Sequence, residues 1–395
     1  MTNPAQAVPA SFDAAAAGAN DAPTTHSRRQ PELDALRGLL LVWMTLTHLP
    51  THVSVYSNQP LGVVSAAEGF IFLSALLCGR VFDRKLRESG PREVWKRLGG
   101  RAARLYGYHL LLLAIAFTVV AKIAVHTKRP SLEGLVDFFL AHPARAVVSS
   151  ILLIYRPPLL DILPMYILFL VGTPAVLWVA RRWDWRVVLI PSLLIWAAAQ
   201  FGLRTALYSL TVNVTHLAIP FSALGAFDLY AWQLLWVTGL WIGAGQPSLP
   251  PLSWAPKTAI VCAAVIAIFF LYVRHSFLWD ILNANSWAPL TDKWHLGSFR
   301  LLDFTVMAIL FSAIQPWFAK WLAIKPLVLL GQASLEVFCA HLLVCFAALA
   351  LVGDGVGISI TTEIAIVSAA ILFLYLVARL FERQRKPTAR PRRED

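Results

Sequence analysis

Charge is scarce in this chain: only 14% of its 395 residues are Asp, Glu, Lys or Arg. Soluble domains carry about a quarter, so with 58% hydrophobic residues a soluble globular protein is a poor fit. Cysteine is also sparse. Cys78, Cys262, Cys339 and Cys345 each sit in an apolar run with no CxxC pair. That excludes a disulfide framework or a zinc finger and leaves them as small buried hydrophobes. Phosphate-binding Gly-rich loops are absent, which removes nucleotide-driven transport. No internal repeat is visible, so the inverted-repeat signature of many transporters is missing. Residues 1–27 contain no Lys or Arg and no apolar core, unlike a signal peptide. Residues 1–30 are therefore expected to be a disordered cytoplasmic tail.

The net charge of +12 does not point to nucleic acid, because the basic residues lie in short loops and the tail. Apolar stretches long enough to span a bilayer begin near Leu36, Leu61, Leu105, Ile162, Val187, Phe227, Thr258, Leu301, Val328 and Ile360. The expected fold is all-α: a polytopic integral membrane protein of about ten transmembrane helices over residues 31–382. With the N-terminus inside, 25 of the 34 basic residues fall on inner segments. The positive-inside rule thus places both termini in the cytoplasm, residues 383–395 forming a basic tail.

The segment Glu32 to His48 has a charged start leading into an apolar helix that ends in histidine. At about 100° per residue, Asp34, Arg37, Thr45, His48 and His52 share one stripe. The next apolar segment carries Glu68, and an ionisable residue within a span faces a partner or a watery cavity. Counting rise per residue from either end brings His48 and Glu68 to similar depth. A carboxylate beside an imidazole orients it and stabilises its protonated form, so His48 is the expected general base and Glu68 its partner. Two competing readings use the same residues: a polar pair that glues helices together, and a proton relay in a lipid or glycan transporter. His341, in the ninth apolar stretch, is either a second cavity histidine or a hydrogen-bonded core residue.

Between Asp83 and Arg104, Val94, Trp95, Leu98, Ala102 and Leu105 share a face bordered by Lys96, Arg97, Arg101 and Arg104. This suits an interfacial helix on anionic lipid or a basic mouth for an anionic donor. The outer loops hold Tyr208, Trp279, Trp287, Trp294 and the histidines His126, His142, His216, His275 and His295. Aromatics suit a sugar surface but also belt any membrane interface. The histidines lack metal-site spacing, so no metal is expected.

The first two spans resemble the membrane acyltransferase superfamily that O-acylates extracytoplasmic polysaccharides. The carrying residues are Leu33-Asp34-Ala35-Leu36-Arg37-Gly38, His48, and Glu68-Gly69-Phe70-Ile71-Phe72-Leu73-Ser74-Ala75. Within it the chain is more similar to the OpgC family, associated with succinylation of osmoregulated periplasmic glucans. Asp161–Tyr166, Ala231–Leu235, Leu296–Asp303 and Leu330–His341 add to that likeness. The resemblance implies a multi-pass protein of a bacterial inner membrane. It also implies a cytosolic acyl-coenzyme A donor (succinyl-coenzyme A first), no bound cofactor, and a periplasmic or cell-surface glucan as acceptor. His48 matches the family's catalytic histidine and Arg37 its donor-side arginine. Asp34, Arg101 and Arg104 are grouped with the donor. Asp161, Gln233, Lys293, Arg300, Asp303 and His341 are grouped with acceptor or acyl recognition, Arg300 or Lys293 supplying a cation for a succinyl carboxylate.

Overall fold

The computed structural model describes residues 30–215, 219–245, 257–284 and 287–385. The expected tails lie outside these residues except at Gln30 and 383–385, and so does His216. Every regular element described is a helix, but the ten apolar stretches do not each make one: that from Val328 is divided between Lys325–Gln332 and Ser334–Val352. Among the described residues, six helices are long and apolar enough to cross a membrane. The count is seven if Arg186–Gln200 and Leu203–Thr215, bent by 80°, form one span. Helix Pro31–His48 falls outside that set because Glu32, Asp34 and Arg37 crowd its first turns, and helix Leu229–Gly245 because it has 17 residues.

The second and third apolar stretches belong to one run, Ala66–Thr127, which is 62 residues long. It breaks at Gly90 (φ 77°, ψ 175°), a conformation open to glycine, and Pro91 restarts the helix beyond. The basic segment after this break is not an interfacial helix lying on lipid. Val94, Leu98, Ala102 and Leu105 are buried in the protein's main core, and of that face only Trp95 is well exposed. The periodicity expected from the sequence is present, but protein covers the stripe.

Two close helix crossings fix the centre. Helix Leu229–Gly245 lies against the start of the long helix with Gly239 and Gly243 facing Ala75 and Gly79. A Cβ on Gly243 would strike the carbonyl of Leu76, and one on Gly79 that of Leu240. Such small-residue pairs let backbones approach within dispersion contact where lipid offers no hydrophobic drive. Helix Pro31–His48 meets helix Lys325–Gln332 the same way. A Cβ on Gly331 would collide with the Asp34 carbonyl oxygen, and one on Gly38 with that of Leu327. Gly331→Ala is therefore expected to destabilise the protein by about 1–3 kcal/mol through overpacking. Gly107→Ala, with open space around its position, should be silent. Thermal unfolding of both variants in detergent checks this, and equal midpoints would remove the crossing from the account.

Two smaller expectations change. The opening helix ends at His48, so His52 leaves the stripe: it sits on the short helix His52–Ser57 and bonds Glu363. Cys262 is exposed rather than buried, unlike the other three cysteines.

Candidate active site

His48 closes the first helix, and its position follows from Pro50 two residues on, which stops the helix from continuing. The ring lines a cavity of about 720 Å³ together with His341, Asp161, Lys293, Arg156, His142 and Trp294. Its Nδ1 is buried, and the ring faces the Met44 carbonyl one turn back on the same helix. His341 reaches the same wall from helix Ser334–Val352, the two ring centroids lying 5.7 Å apart. His341 Nδ1 lies 2.6 Å from the carbonyl oxygen of Phe338. A carbonyl only accepts, so Nδ1 carries the hydrogen and Nε2 keeps its lone pair. His341 thus shows both of its expected features: it lines the cavity, and it is a buried histidine hydrogen-bonded to the backbone.

Glu68 is not the partner of His48. Its Oε2 accepts from the Ser65 backbone N–H at 3.0 Å and the Ser65 hydroxyl at 2.6 Å, closing a capping box at the start of the long helix. Its Oε1 accepts from Arg300 Nη1 at 2.7 Å, and both side chains are essentially inaccessible, 0% and 1% exposed. Depth along a helix carries no information on which way its first turn faces. The residue of that turn lining the cavity is Ala67. A proton relay between Glu68 and His48 loses its geometric support for the same reason.

The other expected residues divide. Asp161 lines the cavity while its Oδ2 accepts the Ala226 N–H at 3.0 Å, tying down the segment that follows Pro220. Lys293 also lines it, with Nζ 5.2 Å from the Trp294 ring centroid and 6.0 Å from that of Phe227. It makes no ion pair among the described residues. Burial pushes its ammonium below the ordinary lysine value, with Glu68 pulling the other way. Arg300 is spent on Glu68 and on the Thr291 carbonyl at 3.2 Å, though it borders a neighbouring recess. Asp303 accepts the Val63 N–H at 2.7 Å and so shapes the turn before Ser65. Gln233 lies outside the cavity. Its amide clamps two helices, accepting from Ser192 Oγ at 2.6 Å and donating to the Ser192 carbonyl at 2.7 Å.

Of the residues expected to meet the donor, Arg37 and Arg101 share a slot of about 20 Å³ with Tyr166 and Ser334. Arg37 Nη2 donates to Ser334 Oγ at 2.5 Å, and its Nε is buried without a partner. Arg104 stands apart from them, paired with Glu336. Asp34 contributes its carbonyl to the Gly331 crossing. Arg156 and His142 are cavity residues without an assigned role in the sequence. His142 stood among five dispersed histidines, and nothing in the spacing separated it from the rest. Among the described residues, no three His, Cys, Asp or Glu side chains converge as metal ligands would.

These features define a multi-pass helical membrane protein with a cavity walled by two histidines and, beside it, a slot bearing the buried Arg37 and the half-buried Arg101. The chain belongs to the OpgC family: residues 29–386 match the family described as OpgC protein. That family is one of membrane acyltransferases that modify glucans. Neither the curated proteins nor the solved structures compared with the chain give a match.

Proposed function

We propose that the protein moves an acyl group, succinyl first among candidates, from a cytosolic acyl-coenzyme A to hydroxyls of a periplasmic or cell-surface glucan. The observation that carries this reading is the pair of histidines on the wall of a cavity of about 720 Å³, largely apolar but carrying Asp161, Lys293 and Arg156, large enough for a sugar unit. His48 Nε2 takes the proton of the acceptor hydroxyl as its oxygen attacks the thioester carbonyl. The new C–O bond forms, the C–S bond breaks, and the imidazolium returns its proton to the departing thiolate. His341, held by Phe338, is the positioning neighbour that Glu68 was expected to be. Asp161 and Trp294 offer an acceptor group and a ring face for the sugar. The inner membrane of a bacterium is the setting that this direction of transfer requires.

Of the two cations expected to meet a distal acyl carboxylate, Arg300 is neutralised and Lys293 lines the cavity, with Arg156 a further cation on its wall. Lys293→Gln should raise the KM for succinyl-coenzyme A about tenfold and leave that for acetyl-coenzyme A within about twofold, as for a hydrogen bond to a charged group. A parallel loss with both donors would move Lys293 out of acyl recognition. The reading itself is tested by thiol release from a panel of short acyl-coenzyme A esters with purified protein and a linear glucan. Release that requires both donor and glucan supports it. Glucan movement across vesicles without thiol release would support transport instead.

A further inference from the structure

The arginine slot and the histidine cavity are separate spaces with a thin common wall. Two side chains line both, Ile162 and Phe338. The Phe338 ring stacks on Phe70, with centroids 5.7 Å apart and an interplanar angle of 17°, and meets His341 edge-on at 4.8 Å. Its backbone carbonyl is the acceptor that fixes His341. On the slot side, the Arg37 guanidinium makes no ion pair among the described residues and keeps one buried N–H unanswered. A buried charge in that condition is costly unless a ligand completes it. The slot has room for roughly one water molecule, so anything larger entering from the arginine side must displace the wall.

We propose that Phe338, backed by Ile162, is an apolar door between the two spaces, and that its ring sets the size of acyl group that reaches His48. The proposal rests on the acyltransfer reading above. A thioester arriving beside Arg37 has its carbonyl carbon on the wrong side of this wall. Rotating the Phe338 ring off Phe70 opens the path while the backbone carbonyl keeps its hold on His341. The stack is one aromatic contact, a modest barrier that ordinary side-chain motion crosses. The closed door keeps cavity water from the thioester until an acyl group pushes through. Phe338 is thus a specificity-determining and positioning residue, not one that exchanges protons.

Two experiments test the door, and only the first depends on acyl transfer. In full-length protein, kcat/KM is compared for acetyl- and hexanoyl-coenzyme A in the wild type, Phe338→Leu and Phe338→Ala. The ratio should move toward the longer chain by about tenfold or more in Phe338→Ala, with Phe338→Leu between, as expected when a pocket wall loses several carbons. An unchanged ratio with transfer intact overturns the proposal. The second uses Ala67→Cys, at the cavity wall, in a Cys262→Ser background. A charged thiol reagent is applied to inside-out and to right-side-out vesicles. Labelling from one side alone in the closed-door protein, and from both sides once Phe338→Ala is added, supports the door. One-sided labelling in both overturns it, even if no acyl donor is ever found to react. If the wild type transfers no acyl group yet the labelling pattern appears, the acyltransfer reading fails and the door stands.

Discussion

His48→Ala is expected to lower acyl transfer by about 10²–10⁴-fold, the span of general-base catalysis by a positioned side chain. Donor affinity should change little, because His48 lines the large cavity and not the arginine slot. Membrane insertion and thermal stability should also hold, since the ring makes no hydrogen bond that ties helices together. Loss of insertion instead of turnover would return His48 to a structural role. His341→Ala should fall less far. Removing it leaves the base in place but frees its neighbour, and His341→Gln should recover part of the loss if positioning is the role.

The second large effect is on stability. Glu68→Gln leaves the Arg300 guanidinium buried without its carboxylate, and such uncompensated charges cost about 3–5 kcal/mol. Glu68→Gln should therefore lower the unfolding temperature in detergent sharply. Activity should fall with the folded fraction, while turnover per folded molecule stays near wild type. Replacing both partners by apolar residues of similar volume, Glu68→Leu with Arg300→Met, should restore much of the stability. If Glu68→Gln kept its stability and lost turnover, the ion pair would not be the main role of Glu68.

Why the sequence misled at Glu68 is instructive. The apolar run was read as opening near Leu61, whereas the helix opens at Ala66 and places Glu68 in its first turn. The signal was present: Ser65-Ala66-Ala67-Glu68 is the S-x-x-E pattern of a capping box. Its second partner was beyond reach, since Arg300 lies 232 positions away and periodicity says nothing about which distant helix packs there. The helical organisation was far more legible. Spans announce themselves by length and apolarity, and Ala75 and Gly79, four apart, have the small-residue spacing of a close crossing, whose partners are Gly239 and Gly243. The stripe at Val94, Leu98, Ala102 and Leu105 was read correctly as a face, but composition alone does not tell lipid from protein as its cover. Gln233 and Asp303 show the same limit. A buried polar side chain serves helix packing or a ligand, and only its hydrogen-bond partners decide.

The most direct measurement is the mass of a linear glucan oligosaccharide after incubation with purified protein and isotope-labelled succinyl-coenzyme A. The account predicts labelled ester on the glucan with the wild type, and none above background with His48→Ala at equal folded protein. Labelled glucan formed equally by His48→Ala would contradict it, as would unmodified glucan alongside a fully folded wild type that binds the donor.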